Sequence, residues 1–124
     1  MKVSIIIPTY NNLNYLKIST ESIKKNSAYS HEIIVHVNEN KDNTINYLKN
    51  NKIKYTFSKE NIGLCSSVNL AVKESTTNFI LYSHDDMYFL PGWDICLESE
   101  LSKISNKLFY FSGSMIQSNG AHYK

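Results

Sequence analysis

Near the amino terminus, Val3-Ser4-Ile5-Ile6-Ile7 forms an almost unbroken β-branched run that Pro8 ends. A strand wetted on one side alternates apolar and polar residues. A run without alternation suits a strand covered on both faces, as in a parallel sheet. Parallel neighbours need a long, usually helical crossover between them. The rest of the chain supplies such pieces in turn. Leu13, Leu16, Thr20 and Ile23 recur at helical spacing, with Asn12 placed to cap the helix. Glu32 to Val37 reads as a second buried strand, Thr44 to Asn50 as a short helix and Ile53 to Phe57 as a third strand. Leu64, Val68, Ala71 and Val72 mark the inner face of another helix, and Asn78 to Tyr82 a fourth strand. Pro91 suits the first turn of a last helix with Trp93, Leu97, Leu101 and Ile104 inside. Its acidic residues Asp94, Glu98 and Glu100 then face solvent. Leu108 to Phe111 reads as a fifth strand. With no repeat or linker, the expectation is one α/β domain over residues 1–124, a mostly parallel sheet with helices on both faces.

Composition narrows the chemistry. The 124 residues are 42% hydrophobic and 19% charged, as in a globular chain with a modest core. The net charge of +2 is too small a surplus to point to nucleic acid, and every basic residue is lysine. Without arginine there is no guanidinium fork for phosphates, so phosphate binding falls to lysine, backbone N–H groups or a metal. Cys65 and Cys96 lack zinc or redox spacing and read as small buried thiols in a reducing compartment. No apolar run is long enough to span a membrane, and the stretch before Pro8 is too short for a signal peptide. The expected setting is the cytoplasm, with the inner face of a membrane as a site of peripheral association.

Open parallel sheets bind ligands at the carboxyl ends of their strands. Four loops fall there: Pro8 to Asn12, Asn38 to Asn43, Ser58 to Gly63 and Ser83 to Leu90. The last contains His84-Asp85-Asp86. Adjacent carboxylates repel, and a hard divalent cation shared with substrate phosphates relieves that repulsion. A turn cap beside a solvated Asp explains the pair equally well until its place after a buried strand is considered. Alternation turns Asp85 and Asp86 opposite ways, leaving one direct metal ligand, and puts His84 with Asp86. A hydrogen-bonded surface imidazole is the simpler account of His84. Gly63 allows close approach or an unusual dihedral, or merely an ordinary turn capped by Asn61. Asn38 and Glu39 could read a base or form a polar turn, and Tyr10 could stack on one.

Taken together, these loops resemble the family-2 inverting glycosyltransferases. The opening strand through Pro8-Thr9-Tyr10-Asn11, the Asp42-Asn43-Thr44 segment, Asn61-Ile62-Gly63 with Asn69, and His84-Asp85-Asp86 followed by Pro91-Gly92-Trp93 match family motifs in order. The resemblance implies a Rossmann-like GT-A fold, here its amino-terminal donor-binding part. It gives Pro8, Thr9, Tyr10, Asn38, Glu39, Asn61, Gly63, Asn69 and Asp85 to the nucleotide sugar. Asp86 becomes the ligand of Mg²⁺ or Mn²⁺, with His84 a second candidate. His84 replaces the first Asp of the family's Asp-x-Asp, Asn38 stands where Asp is usual, and Val68 replaces a common basic residue.

The implied activity is metal-dependent sugar transfer, with inversion, from a nucleoside-diphosphate sugar to a saccharide, lipid-linked or protein acceptor, as in cell-surface polysaccharide biosynthesis. The acceptor-binding half and its general base are expected beyond Lys124, so no catalytic base is assigned here. A degenerate, non-catalytic nucleotide- or carbohydrate-binding module is the rival reading. A dinucleotide oxidoreductase or P-loop enzyme is excluded, since no Gly-rich turn follows the first strand.

Overall fold

The fold is that of a computed structural model, which describes residues 1–106, 108–117 and 119–120 in full and the backbone of 122–123. Strands β1 (Ser4–Tyr10), β2 (Glu32–Asn38), β3 (Lys54–Ser58) and β4 (Ile80–Tyr82) form one sheet in the order β3-β2-β1-β4, every pairing parallel. Helices α1 (Leu13–Asn26), α2 (Thr44–Asn50) and α3 (Leu64–Val72) cross between them, and α4 (Trp93–Leu101) follows the sheet. A small antiparallel pair, β5 (Met115–Ile116) and β6 (His122–Tyr123), lies apart from it.

The first strand lacks alternation because it has two dry faces. Ile5 and Ile7 pack with Val35 and Val37 against Leu16, Ile23 and Leu48, beneath α1 and α2. Ile6 and Ile34 turn the other way, against Ala71, Val68 and Val72 of α3. The isoleucines of β1 are fully buried, each contributing roughly 1.5–3 kcal/mol. Helices therefore lie on both faces, as expected.

Pro8 does not end the first strand: β1 runs on through it to Tyr10, paired with β2, and because β4 pairs only as far as Ile6 the missing N–H costs no ladder bond on that side. Five further expectations fail. Leu108 to Phe111 forms no strand; Leu108 and Tyr110 are about 90% exposed, and the Phe109 ring meets Phe79 at 6.1 Å. An aromatic run becomes a strand only where an edge pairs with it, and β4 pairs with β1 alone among the described residues. Leu64 is exposed, because the phase of α3 turns Ser67 and Ala71 inward. The same phase exposes Cys65, and Cys96 is exposed too. Pro91 precedes α4 instead of starting it: Gly92, at φ 77°, is the cap residue.

The fifth failure concerns the inner face of α4. Its buried residue is Asp94, while Trp93, Leu97, Leu101 and Ile104 are only half-buried. Asp94 accepts hydrogen bonds from Tyr29 N–H (2.9 Å) and pairs with His31 Nε2 (3.1 Å), both side chains being 1% exposed. Burial alone would raise the Asp94 carboxyl; the bonds from Tyr29 and His31 hold it low instead. Glu98 binds the terminal amine at 2.6 Å and the Tyr29 hydroxyl. The helix is clasped by polar groups from the start of β2 and the amino terminus.

A second polar knot closes the α3 side. Glu32 accepts from Ser4 Oγ (2.5 Å), Thr76 N–H (3.0 Å) and Lys54 Nζ (2.8 Å). Burial would raise its carboxyl, but the bonds from Lys54, Ser4 and Thr76 outweigh burial and hold it at about 2, against an ordinary 4.5. A lowered folded-state value stabilises the fold above the ordinary value, and that stability disappears as pH falls through the folded one. Urea titrations between neutral pH and pH 2 should show stability falling below about pH 4.5. Glu32→Gln should cost on the order of 2–3 kcal/mol at neutral pH and flatten that acid slope; an unchanged slope would remove Glu32 as its source.

Candidate functional site

β1 and β2 are paired in step from Ser4–Glu32 to Tyr10–Asn38, so their carboxyl-end loops emerge side by side. The two loops interlock. Lys41 N–H donates to Asn11 Oδ1 (3.1 Å), Asn11 Nδ2 to Glu39 Oε2 (3.5 Å), and Lys41 Nζ pairs with Glu39 at 2.8 Å. Asn11, Glu39 and Asn43 hold φ between 45° and 62°, a left-handed conformation that asparagine tolerates better than most residues.

Asp42 ties the latch to both helices. Its Oδ2 accepts Leu13 N–H, the first of α1, at 2.9 Å, and its Oδ1 accepts Thr44 N–H (3.3 Å) and Oγ1 (2.7 Å), at the start of α2. Asn12 occupies the cap position of α1 but makes no side-chain cap bond. Its amide instead donates to Asp85 Oδ1 (3.0 Å), and Thr9 Oγ1 donates to Asp85 Oδ2 (2.7 Å). Asp85 is thereby fixed, half-buried, by two residues from the end of β1. Asp86 beside it is exposed and has no hydrogen-bond partner among the described residues. His84 is exposed as well, its Nε2 3.4 Å from the Tyr82 hydroxyl. Burial, Asp85 and Asp86 together push the Tyr82 phenol up.

Between these loops lies an open groove of about 360 Å³. Pro8, Thr9 and Tyr10 form one wall, Asn61, Gly63 and Leu64 another, and Asn38, His84 and Asp85 complete it. Eight of the residues singled out in the sequence therefore meet in one place. Glu39, Asn69 and Asp86 are not in the lining; Glu39 is held by Lys41, and Asn69 is exposed on α3. Gly63 has φ 80° and no atom near a would-be Cβ, so its backbone conformation, not close packing, calls for glycine.

Asn38 differs from expectation. It is buried, and its amide is spent internally. Nδ2 donates to Ser67 Oγ (2.8 Å), and Oδ1 accepts Ile62 N–H (2.9 Å) and Ser58 Oγ (3.3 Å). It fixes the groove floor and has little left with which to read a base. Beneath it, His36 is fully buried between Thr56 Oγ1 (2.7 Å) and Ser58 Oγ (3.1 Å), and burial pushes its imidazole down. Sequence reasoning took Asn12 only for a helix cap, quoted Asn11 and Asp42 only as parts of matching motifs, and passed over His36. The sole signal for His36 is a polar residue two before Asn38 in an otherwise apolar strand.

Loops gathered at the carboxyl end of a parallel sheet, around an acidic, amide-lined groove, are where α/β proteins bind their ligands. Residues 4–122 match the family described as glycosyl transferase family 2, and the chain belongs to that family. It is 34% identical over 122 residues to an uncharacterised glycosyltransferase of Rickettsia bellii, covering 94% of this chain and 17% of that protein. It is 39% identical over 108 residues to one of Rickettsia typhi, covering 85% and 33%. The chain thus spans a third or less of these relatives' length. Among solved structures, S. aureus TarS in complex with UDP superposes with TM-score 0.72 at 24% identity, over 83% of this chain and 32% of that one. The Pyrobaculum calidifontis mannosyltransferase PcManGT, in complex with GDP-Man and Mn²⁺, gives 0.67 at 19%, over 85% and 32%. These likenesses show the GT-A fold.

Because Asp42 serves two helix starts, Asp42→Ala should cost about 2–3 kcal/mol of unfolding free energy, a cap each for α1 and α2. Denaturant melts check this. A loss no larger than that of an exposed Asn46→Ala control would show that water replaces both caps.

Proposed function

We propose that the groove holds the nucleoside-diphosphate part of a sugar donor, and that the chain is the donor-binding part of an inverting, metal-dependent glycosyltransferase. The observation that carries this reading is the acidic pair beside the groove. Asp85 is preset by Thr9 and Asn12, and Asp86 is left free next to it. A carboxylate fixed by two donors is preorganised to accept a ribose hydroxyl without moving. Tyr10, 48% exposed on the groove wall, is free to stack on a base. Asn38 serves by fixing the floor. That TarS is seen with UDP and PcManGT with GDP-Man supports a nucleotide-sugar ligand.

The residues present fit a divalent cation only as a shared site. Among the described residues no group of three or more His, Cys, Asp or Glu could hold a metal by itself. Mg²⁺, however, is commonly held by one or two carboxylates completed by substrate phosphates. Asp86, with its uncommitted carboxylate, would hold the cation, and Asp85 would orient beside it. His84 is left out, being turned to Tyr82. The cation supplies neutralisation of the diphosphate as it leaves. The protein fixes Asp85, shapes the base wall and positions the anomeric carbon for displacement by an acceptor hydroxyl. That hydroxyl needs a base, and the carboxylates of α4 are otherwise engaged: Asp94 with His31, Glu98 with the amino terminus, Glu100 with Lys103.

Calorimetry with UDP and GDP should show binding that needs Mn²⁺ or Mg²⁺; equal affinity in EDTA would remove the metal from the site. Asp86→Ala should lose more of that metal-dependent affinity than Asp85→Ala, by tenfold or more (roughly 1.4 kcal/mol). The reverse ranking, in two folded variants, would exchange their roles. The 124-residue chain by itself should transfer no sugar to any acceptor. Turnover near 1 per second, an ordinary enzymatic rate of about that order, would reveal a base among the carboxylates named here.

A further inference from the structure

A second depression lies at the other end of the sheet. It encloses about 400 Å³ where α1 and α2 finish, beside the starts of β2 and β3. Buried Ile23, Ile33 and Ile53 form its apolar floor, and Lys24 and Lys52 stand exposed at its margin. Lys24 Nζ reaches the Asn51 carbonyl at 3.3 Å, bringing the two lysine-bearing segments together. Lys25, in the last turn of α1, and Lys49, in the last turn of α2, belong to the same end, as does Lys2 before β1.

None of these five lysines has a carboxylate partner; the ion pairs among the described residues involve Lys41, Lys54, Lys103, His31 and the terminal amine. Of the acidic groups at this end, Asp94 is engaged by His31, Glu98 by the terminal amine and Glu32 by Lys54, which leaves Glu21 on α1 and Glu74 beyond α3 as the exposed carboxylates without an ion pair, fewer than the five lysines. At the groove end the balance is reversed, with Glu39, Asp42, Glu60, Asp85 and Asp86 against Lys41 and Lys59. Lysines in last turns offset the negative helix ends, which accounts for Lys24, Lys25 and Lys49. It does not account for Lys52, which lies in the turn beyond α2 at φ 54°, nor for an apolar-floored hollow between Lys24 and Lys52. On the outer side of α1, Ile18 is 52% exposed, two helical turns from Lys25.

We propose that this lysine-rich end docks on an anionic membrane surface, a lipid phosphate seating between Lys24 and Lys52. Exposed cations without carboxylate partners match the phosphates of an anionic lipid surface, whereas nucleic acid would call for a continuous basic track. Nothing lining the groove is covered by such docking, so the groove stays open to a soluble ligand. The inference is independent of the donor reading.

The full chain is tested by co-sedimentation with phosphatidylcholine vesicles, with and without phosphatidylglycerol. Binding should require phosphatidylglycerol and weaken with added salt. Each lysine lost should weaken it several-fold, so Lys24→Gln/Lys52→Gln should lose roughly tenfold or more. Lys59→Gln, at the opposite end, should bind like the parent. UDP affinity with Mn²⁺ should be the same in the parent and the Lys24→Gln/Lys52→Gln variant, so failure of docking is seen separately from failure of the groove. The proposal is overturned by absent or phosphatidylglycerol-independent binding, by a double variant that binds normally, or by equal loss in Lys59→Gln. Tight binding to a single-stranded RNA without vesicle binding would also overturn it, as would inorganic phosphate binding alone.

Discussion

β1 and β2 lie side by side, residue for residue, from Ser4 opposite Glu32 to Tyr10 opposite Asn38. Both are buried from two sides, and a slip of one residue would send every side chain to the wrong layer. Ile5 and Ile7 would then face α3, which offers Ser67 and Ala71, and Ile6 would face the larger residues of α1. Register is thus fixed by packing. Because it is fixed, the strands end level, and the loops that follow meet. The Asn11–Glu39–Lys41 latch, the two caps of Asp42 and the hold on Asp85 all depend on that level ending.

The latch uses unfavourable backbone. Three left-handed residues in two short loops cost on the order of 1 kcal/mol each. They persist because Asn11 and Glu39 bond across to neighbouring strands' loops, because Asn43 starts α2, and because Asp42 anchors both loops to helices that cannot move off the core. Thr9 and Asn12 therefore meet Asp85 from a rigid base. Asp86, one residue on, has no such support. The groove thus pairs a fixed carboxylate with a free one, although the two are chemically identical in the sequence.

How much of this could be seen in the chain follows from the kind of contact involved. Apolar patterning is local, so the four parallel strands and α1 to α3 were legible, with edges off by up to three residues, the most at β1, which continues past Pro8 to Tyr10. Loop positions follow from strand ends, so most of the groove lining was legible as well. Partners of buried polar groups are not local. Asp94 reads as a solvated acid on an apolar helix until His31, at the start of a distant strand, is seen beside it. Asn38 reads as a ligand-facing amide until Ser58, Ile62 and Ser67 are found to use it up. Leu108 to Phe111 fails for the converse reason: its composition suits a strand, but pairing is decided by an edge elsewhere.

The distribution of charge adds a constraint that the near-neutral total conceals. A net charge of +2 hides one end rich in carboxylates and one rich in unpaired lysines. At the carboxylate end a diphosphate meets repulsion from Asp85 and Asp86, and the nearby lysines do little to relieve it. Lys41 is already paired with Glu39, and Lys59 lies on the loop before Gly63. On the proposed donor reading, with no arginine among these 124 residues, a second positive charge would come with the ligand. A cation shared between phosphate and Asp86 does this and removes the repulsion that Asp86 itself creates. The free carboxylate and the absent arginine are therefore one feature. On the proposed donor reading, such a site would reject a bare diphosphate and accept one that arrives with its metal.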